Sequence, residues 1–542
     1  MVSYVDLKID DEICANLKTW NYGENWPIVY VYYNATKAYV GETLDARERT
    51  IQHSKEGAFA DFTNVLYMTK KTFNKSVILD MESNLIKHMG TEGTRTLING
   101  NHGIINHNYF YKEAYEDDFK EIWNLLREKG IVSKSLIDIE NSELYKYSPY
   151  KSLTSEQKDA SYKILKKITE INNATQKSLV EVIGGAGTGK TILAVYLIKL
   201  ISDIKSNLKV WNSIDDANDA DIIEKLSKSL TGIEKIGFVV PMVQLRNTMK
   251  EIFKSINGLS EDMIYSPEEV VNESKFDVLI VDEAHRLYKR KHLPGAHIYA
   301  KFDKINKELM GDDFKGNEDD LTELDWIIRS SRIQVLFYDN LQEIRSTDIG
   351  SVRFDEICAP VLYDKIPLVS QMRCKGGTGY YEYVKKILDN NNVESKEYVK
   401  IDNYDLKVVD SVDDLYNRIK TYNDKLCKVV AGPGWSLEED ICIDNNVLHW
   451  GDDITSIHKI QGFDLDYAGV VFGKEVFYNK STKRIEVNKK ELKDSFTKSD
   501  GDDQMRRYIL NIYLTLMTRG IHGTYVYAVD DDLREYLKEF FS

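Results

Sequence analysis

The chain has 542 residues, which exceeds the size of one hydrophobic core and predicts two to four domains. An apolar share of 42% is typical of a globular protein, and a net charge of −15 mildly disfavours a nucleic-acid partner without excluding one, because such binding depends on local basic patches. We expect neither a membrane span nor a secretory signal, and five cysteines without a CxxC pair favour a reducing cytoplasm over a disulfide framework.

The first recognisable elements lie in "PIVYVYYNATKAYVGETLDARERTIQH". Two tyrosine-bearing runs predict short strands, and the segment after them places Arg49 and His53 four residues apart on one face of a helix. Downstream, "ILDMESNLIKH" places Glu82 on another predicted helix, and "LINGN" supplies Asn99 and Asn101. These side chains are candidates for one polar site in a small α/β domain.

This pattern resembles the GIY-YIG nuclease fold. Val29–Tyr30 matches the end of the first family signature, and Tyr39–Gly41 matches the second. Arg49 falls eight residues after the second signature, where the family arginine lies. The sequence departs from the family at Ile28, where the first signature begins with glycine.

The resemblance implies metal-dependent cleavage of a phosphodiester. Glu82 would hold Mg²⁺ or Mn²⁺, and Arg49 would stabilise the charge of the transition state. Asn99 or Asn101 would be the family asparagine. The candidates for relaying a proton from water are Tyr30, Tyr39 and His53. Alternatively, the tyrosines only pack as a half-buried hairpin, and the charged side chains are solvated.

Beyond this domain, residues 112–131 carry apolar residues at helical spacing and predict a connecting helix. The pattern then changes to strand, loop and helix, with the short apolar runs "SLVEVI", "KIGFVVP", "FDVLIVDE" and "IQVLFYD". A second set comprises "CKVVAG", "YAGVVFG" and "GTYVYAVD". Runs of this kind predict parallel sheets covered by helices, so we expect two further α/β domains.

The run "GGAGTGKT" lies between a predicted strand and a predicted helix and matches the phosphate-loop pattern GxxxxGK[ST]. Glycines allow the loop amides to point at phosphate oxygens, and the helix presents its positive end. Lys190 would reach the β and γ phosphates of ATP, and Thr191 would ligate Mg²⁺. The loop comprises Gly184, Gly185, Ala186, Gly187, Thr188, Gly189, Lys190 and Thr191.

Two acids follow the strand-like run in "FDVLIVDEAHRL". Asp282 would hold Mg²⁺, and Glu283 would orient the attacking water. The alternative, two ordinary surface acids after a core strand, loses weight once a phosphate loop precedes them.

Together, these motifs resemble a superfamily 1 helicase, and the set looks most like the helicase domain of the Schlafen group-3-like family over roughly 150–542. The resemblance implies that Gln157 reads adenine, and that Arg373 and Arg519 give positive charge to the departing γ-phosphate when a second domain closes over ATP. For each arginine the alternative is a surface salt bridge. Asp339 and Gln342 resemble the family's coupling motif, which senses the γ-phosphate. The other matching motif residues are Gln371, His458, Gln461, Gly462, Asp464 and Thr518, with Asp464 standing where the family usually has Glu.

We therefore predict an α/β protein of four parts. These are a GIY-YIG-like nuclease domain at 1–110, a helical linker at 111–150, and two RecA-like parallel-sheet domains at 151–355 and 356–542. The predicted function is ATP-dependent translocation or unwinding joined to strand cutting, with DNA favoured over RNA, in repair or in defence against foreign DNA. Two alternatives stay open: an ATP-switched nuclease without unwinding, and a nucleic-acid-binding protein with an inactive nuclease fold. Protein partners also stay open.

The stretch "HRLYKRKH", residues 285–292, is basic in an otherwise acidic chain and carries Tyr288 as an aromatic face. It predicts a contact that follows nucleic-acid phosphates and stacks one base. The alternative is a solvated loop whose charges pair with the acidic run at 312–320.

Overall fold

A computed structural model gives the architecture of the chain. Two compact units make it up: Met1–Thr175 with Thr191–Phe238 and Arg246–Ile264, and Gln176–Lys190 with Val239–Leu245 and Tyr265–Ser542. The residues that the structure describes are 2–55, 59–99, 109, 111–140, 142, 145, 153–174, 177–185, 187–206, 217–230, 232–256, 258–293, 295–339, 342, 345–369, 374–389, 401, 403–422, 426–443, 446–451, 453–456, 465–493 and 501–541.

The amino-terminal sheet has five strands in the order β1-β4-β2-β3-β5. Its strands are β1 (Ser3–Lys8), β2 (Ile28–Tyr33), β3 (Lys37–Thr43), β4 (Asn64–Thr69) and β5 (Thr96–Leu97). The pair β2–β3 is the predicted tyrosine hairpin, antiparallel, with Tyr30 opposite Gly41 and Tyr32 opposite Tyr39. The aromatic side chains of this sheet form much of the local core.

Helices accompany this sheet, and two of them begin at side-chain caps. The carboxylate of Asp45 accepts from the Glu48 amide 2.8 Å away at the start of one helix, and Asn74 caps another in the same way. The predicted connecting helix is confirmed and buries an apolar face that includes Trp123. The helices are α1 (Ile13–Thr19), α2 (Ala46–His53), α3 (Lys75–Glu92), α4 (Glu116–Glu128) and α5 (Leu136–Glu140).

The second sheet carries the predicted apolar runs as buried strands in the order β11-β6-β10-β9-β7-β8. Its strands are β6 (Ser178–Gly184), β7 (Ile236–Val239), β8 (Ile264–Tyr265), β9 (Phe276–Val281), β10 (Ser331–Tyr338) and β11 (Leu362–Leu368). The pairs β6–β10, β9–β10 and β6–β11 are parallel, so their carboxyl ends meet at one edge. The helices of this region are α6 (Ser155–Ala174), α7 (Lys190–Lys205), α8 (Ala217–Ser229), α9 (Val243–Ser255), α10 (Ala296–Met310), α11 (Glu323–Ser330) and α12 (Ser351–Cys358).

The third sheet is also parallel in its paired strands, in the order β12-β20-β17-β13-β16. Two antiparallel pairs, β14–β15 and β18–β19, accompany it. The strands are β12 (Asp405–Val408), β13 (Cys427–Ala431), β14 (Ile441–Ile443), β15 (Asn446–Leu448), β16 (Ile454–Ser456), β17 (Leu465–Phe472), β18 (Val476–Asn479), β19 (Arg484–Val487) and β20 (Gly520–Ala528). The helices are α13 (Gly377–Asp389), α14 (Val412–Lys420), α15 (Asp502–Met517) and α16 (Asp531–Lys538).

Both parallel sheets confirm the predicted mixed α/β class. Their central strands are buried along nearly their whole length, which explains the continuous apolar runs in the sequence. Among the described residues, no helix combines the length and the apolar character that crossing a bilayer requires.

Candidate active sites

The segment between β6 and α7 has the backbone of a phosphate-binding loop. Gly187 and Gly189 have φ angles of 80° and 79°, in the left-handed region that favours glycine. A Cβ added at Gly184 would lie 2.6 Å from Thr188 Oγ1, so the loop folds back closely on the strand end. The hydroxyl of Thr188 donates to the Gly185 carbonyl at 3.0 Å.

Lys190, the first residue of α7, is 5% exposed and its ammonium is held inside the loop. The Nζ atom donates to the carbonyl oxygens of Gly184 and Gly185 at 2.8 and 2.9 Å. It also lies 3.1 Å from Asp339 Oδ2, at the end of β10. Two loop carbonyls and the Asp339 carboxylate thus hold the ammonium inside the loop, where the phosphate-loop pattern predicts the phosphates.

Two acids follow β9, two strands from β6 in the sheet. Asp282 is fully buried, and its amide donates to the Val239 carbonyl at 3.0 Å. Glu283 has φ 50° and ψ 42°, a left-handed conformation that is uncommon for a residue other than glycine. Such strain persists where the surrounding structure requires it and is concentrated at functional sites.

The side chain of Glu283 faces His285, with Oε2 and Nε2 2.8 Å apart. Burial by itself would raise the pKa of Glu283, but His285, Lys190 and Arg286 outweigh burial and lower the pKa well below its ordinary value. Glu283 is therefore an ionised carboxylate near the phosphate-loop lysine. Sequence reasoning gave His285 no role, although its position two residues after Glu283 was the available signal.

The predicted coupling residues Asp339 and Gln342 form a pair, since the Gln342 amide donates to Asp339 Oδ2 at 2.7 Å. Burial opposes ionisation of Asp339, yet Lys190, His285 and Gln342 lower its pKa. One carboxylate thus contacts both the phosphate-loop lysine and a candidate sensor of the γ-phosphate.

Tyr381 on α13 is a neighbour of the phosphate loop that sequence reasoning missed. A Cβ added at Gly185 would lie 3.7 Å from the Cζ and hydroxyl of Tyr381. The ring is 8% exposed. No motif indicated this contact, because α13 follows the loop by almost two hundred residues and its tyrosines have the spacing of ordinary core residues.

Other predicted residues occupy defined places. Gln157 is buried near the start of α6, where its Oε1 accepts from the Thr154 amide at 3.1 Å. Thr191 lies in the first turn of α7. Thr518 ends α15 and donates to the Leu514 carbonyl, and the adjacent Arg519 is 2% exposed.

The amino-terminal candidate site is a hydrogen-bonded network around Tyr30. The Nε of Arg49 donates to the Tyr30 hydroxyl at 3.1 Å, and that hydroxyl lies 2.9 Å from His53 Nε2. The Tyr30 hydroxyl accepts from Arg49 and can donate to His53 when the imidazole carries its proton on Nδ1. A side chain at Gly41 would collide with the Tyr30 ring, so the paired strand requires glycine there.

Burial sets the character of this network. Tyr30 and His53 are 0% and 2% exposed, whereas Arg49, Tyr39 and Glu82 are half-buried. Burial raises the pKa of Tyr30 well above its ordinary value, with Tyr39 adding to the effect and Arg49 opposing it. Tyr30 therefore keeps its proton, and Arg49 is the member of the network that reaches solvent.

The oxygen and the nitrogen of the Asn99 side-chain amide both form hydrogen bonds with the backbone of Val40. Its Oδ1 accepts from the Val40 amide at 2.9 Å, and its Nδ2 donates to the Val40 carbonyl at 2.7 Å. It thus extends the edge of β3. The described residues contain no group of three or more His, Cys, Asp or Glu side chains placed to hold a metal.

The family "Schlafen group 3, DNA/RNA helicase domain" matches residues 177–450 and 451–530, about two thirds of the chain. The chain belongs to the Schlafen group 3 helicase-domain family. The match covers the phosphate loop, both acids and the third sheet, and begins after the amino-terminal sheet.

Other proteins resemble the Schlafen group 3 chain more weakly. The uncharacterized protein YPL245W of Saccharomyces cerevisiae is 26% identical over 414 residues, 65% of this chain and 82% of that protein. The Pif1 helicase from Candida albicans is 11% identical with a TM-score of 0.27, covering 69% of this chain and 94% of that one. The Arterivirus nonstructural protein 10 helicase is 12% identical with a TM-score of 0.25, covering 68% and 64%.

Within the Schlafen group 3 domain, the basic stretch 285–292 departs from the predicted nucleic-acid contact. Arg286 is 3% exposed and lies 3.3 Å from Asp348. Arg290 makes a two-pronged contact with Asp303, and Lys291 lies 3.0 Å from Glu318. The prediction was wrong for these three side chains, and the alternative pairing with the acidic run is confirmed for Lys291.

Several predicted residues of the Schlafen group 3 motifs lie outside the described residues, as does one nuclease candidate. They are Asn101, Ala186, Gln371, Arg373, His458, Gln461, Gly462 and Asp464.

Proposed function

We propose that this chain hydrolyses ATP to move along or unwind nucleic acid. The observation that carries the proposal is Glu283, which is strained, ionised and partnered by His285. Glu283 directly follows the buried Asp282 at the end of β9. Strand β6, which leads into the phosphate loop, belongs to the same sheet. Ion pairs that serve only structure do not require a left-handed backbone at the acid.

The residue chemistry fits ATP and Mg²⁺. The loop offers glycine amides and the Lys190 ammonium for phosphate, and Thr191 and Asp282 offer the oxygen ligands that Mg²⁺ prefers. Bound Mg²⁺ would neutralise phosphate charge during transfer. Glu283 would orient the attacking water, Gln157 would recognise adenine, and Gln342 and Gln461 would complete the nucleotide contacts.

Arg373 and Arg519 would give positive charge to the departing phosphate from the second parallel-sheet domain. We propose domain limits of 151–355 and 356–542 for the two halves of this motor, after a nuclease-like domain at 1–110 and a linker at 111–150. Closure with triphosphate and opening after hydrolysis would move one half along the strand.

The test uses purified protein with labelled single-stranded, duplex and forked DNA and RNA, in Mg²⁺ or Mn²⁺, with and without ATP. Strand displacement or translocation that requires ATP supports a motor. ATP hydrolysis without displacement on any substrate would favour the alternative, in which ATP only switches another activity.

A second candidate function, endonuclease cleavage by the amino-terminal domain, is favoured by the contact between Arg49 and Tyr30. Arg49 would stabilise the pentavalent phosphate, and Glu82 would hold Mg²⁺ or Mn²⁺. Tyr39 and a water molecule would relay protons, since Tyr30 and His53 are buried and would act through Arg49. Absence of cleavage on all these substrates would leave the domain as a docking module with an inactive nuclease fold.

We propose DNA as the preferred substrate, with RNA as the alternative, and a role in repair or in defence against foreign DNA. The joining of a motor to a nuclease supports this role by analogy only. The cysteine content supports a cytoplasmic location. The same substrate panel decides between DNA and RNA.

A further inference from the structure

A groove of about 700 Å³ opens at the amino ends of three neighbouring strands of the third sheet, β12, β20 and β17. Polar and aromatic side chains from four segments line it: Lys375, Asn403, Asp405, Tyr467 and His522. None of these residues belongs to the motifs that predict ATP hydrolysis. The volume is within the range of small-molecule sites and exceeds what one planar ring requires.

A glycine brings the walls of the groove together. Gly523 is the register partner of both Asp405 on β12 and Tyr467 on β17. A Cβ at Gly523 would lie 3.0 Å from Tyr467 Cε1 and 2.5 Å from the Asp405 carbonyl oxygen. Because Gly523 carries no side chain, no atoms fill the space between Tyr467 and Asp405 at this position of the middle strand.

The aromatic wall is rigid. The Tyr467 ring stacks on Tyr422 with centroids 3.8 Å apart and an interplanar angle of 9°. Tyr422 and Tyr525 join their hydroxyls at 3.0 Å, and Tyr525 in turn donates to Asp405. His522 lies 5.8 Å from Tyr467 at 25°, so two nearly parallel rings border the groove. A wall fixed in this way stacks a planar ligand with little loss of side-chain entropy.

The polar groups fit the other parts of a nucleotide. Lys375 is exposed and offers an ammonium that can pair with a phosphate. Asp405 and Asn403 offer acceptors and a donor for the edge of a base. Asn403 has φ 61°, a left-handed conformation that is uncommon outside glycine and is concentrated at functional positions.

We propose that this groove binds one nucleotide of a single-stranded nucleic acid, with its base against Tyr467 and His522 and its phosphate at Lys375. This inference rests on the proposed motor function, because it assigns part of the strand-binding surface of that motor. The groove is open along the protein surface, which suits a nucleotide within a strand rather than an isolated small molecule.

The groove also adjoins the segments that carry the two candidate catalytic arginines. The Lys375 amide donates to the Ile521 carbonyl at 2.8 Å, which joins the segment before α13 to the start of β20. Arg519 directly precedes β20, and Arg373 precedes Lys375 by two residues in the sequence. A strand bound in the groove would therefore stabilise the two segments that present positive charge to ATP.

The test measures fluorescence polarisation of a labelled single strand of about 20 nucleotides, as DNA and as RNA, over a range of salt concentrations. Lys375→Ala removes one phosphate contact and should reduce the slope of log affinity against log salt by about 0.7. His522→Ala removes part of the stacking wall and should weaken binding about fivefold or more. The matched control is Lys428→Ala, an exposed lysine on β13 with the same loss of charge, which should bind as wild type does.

Four further outcomes separate the explanations. If wild-type protein binds the strand but both variants keep its affinity and salt slope, this inference is overturned while the motor remains. If wild-type protein binds no strand at all, the proposed motor fails and the inference fails with it. If a free mononucleotide instead competes as well as the unlabelled strand at the same concentration of nucleotides, that result would overturn the assignment of the groove to a strand. A strand carrying 4-thiothymidine should crosslink to peptides of β17 or β20, and exclusive crosslinking elsewhere would contradict the site.

Discussion

The pKa values of two glutamates that follow parallel strands are shifted in opposite directions. Glu283, after β9, faces His285 at 2.8 Å, and its pKa is lowered. Glu475, after β17, is fully buried, accepts from the Tyr513 hydroxyl, and burial raises its pKa to about 7. Position at the end of a strand therefore does not decide the chemistry of an acid, and the charges around it do.

The surroundings of Glu283 and Glu475 also differ. Glu283 has a strained backbone, which costs stability, and cationic neighbours, which lower its pKa and keep the carboxylate charged. Glu475 lies against Gly434 and Gly473, where any larger residue would collide with its carboxylate. Its described environment suits a neutral acid that fills space between two strand ends. The comparison predicts that substitutions at the two positions affect different properties, activity at one and stability at the other.

The largest expected effect is that of Glu283→Gln. Loss of the carboxylate that orients water should lower ATP hydrolysis about 10²- to 10⁴-fold, while nucleotide binding persists through Lys190. Single-turnover hydrolysis and binding of a fluorescent ATP analogue measure the two separately. Glu356→Gln, at an exposed position, is the matched control and should hydrolyse ATP at the wild-type rate. ATP hydrolysis at the wild-type rate by the Glu283 variant would mean that Glu283 does not orient the attacking water.

The amino-terminal domain offers a third buried ionisable group, Tyr30, whose partner Arg49 reaches solvent. If this network performs chemistry, Arg49→Ala should lower cleavage about 10²- to 10³-fold, because the transition state loses its positive partner. ATP hydrolysis should persist, since Gln176–Lys190, which includes most of the phosphate loop, belongs to the other compact unit. Gel analysis of labelled DNA and RNA in Mg²⁺ or Mn²⁺ measures cleavage.

Arg47→Ala is the control for that substitution. Arg47 lies on the same helix and pairs with Glu24 at 3.0 Å, so its loss removes the same charge without touching Tyr30. Equal cleavage by the Arg49 and Arg47 variants would mean that the Tyr30 network, like Glu475, contributes to packing and not to cleavage.

The sequence predicted those parts of the phosphate-loop site that are set by residues adjacent to a strand in the chain. The phosphate loop and the two acids each lie directly after a strand, so their spacing alone places them at one sheet edge. The partners of Arg286 and Arg290 were not predictable in this way. Arg286 pairs with Asp348, which is 62 residues distant, and Glu475 accepts from Tyr513 on helix α15. Contacts of that range follow from packing, which no local pattern encodes.

Glu475→Gln tests the stability side of the comparison. The folded pKa of about 7 lies above the ordinary 4.5, so the folded state binds the proton more tightly. Stability is therefore highest below pH 4.5, falls as the pH rises towards 7, and stays lower above it. The difference from the glutamine variant over this window should be on the order of 3 kcal/mol.

Hydrogen exchange of β13 and β17 amides is the suitable measurement, because a chain of several domains does not unfold in one step. Wild-type protection should fall between pH 5 and pH 8, after correction for intrinsic exchange, by more than that of the variant. Parallel profiles for the two proteins would show that Glu475 is already ionised, like Glu283.

The smallest expected effect is a change of pH dependence on replacing His285, the largest of the influences that lower the pKa of Glu283. In His285→Ala the pKa of Glu283 should rise, because burial then meets less opposition. Only the ionised carboxylate can orient water, so the acid limb of the ATPase profile should move to higher pH by on the order of one unit. The rate well above neutral pH should change less, since Glu283 is ionised there in both proteins. His297→Ala, an exposed histidine on α10, is the control and should leave the limb in place. An unshifted limb in the His285 variant, with nucleotide binding intact, would mean that Lys190 and Arg286 alone keep Glu283 charged, and that its difference from Glu475 comes from those cations rather than from the adjacent imidazole.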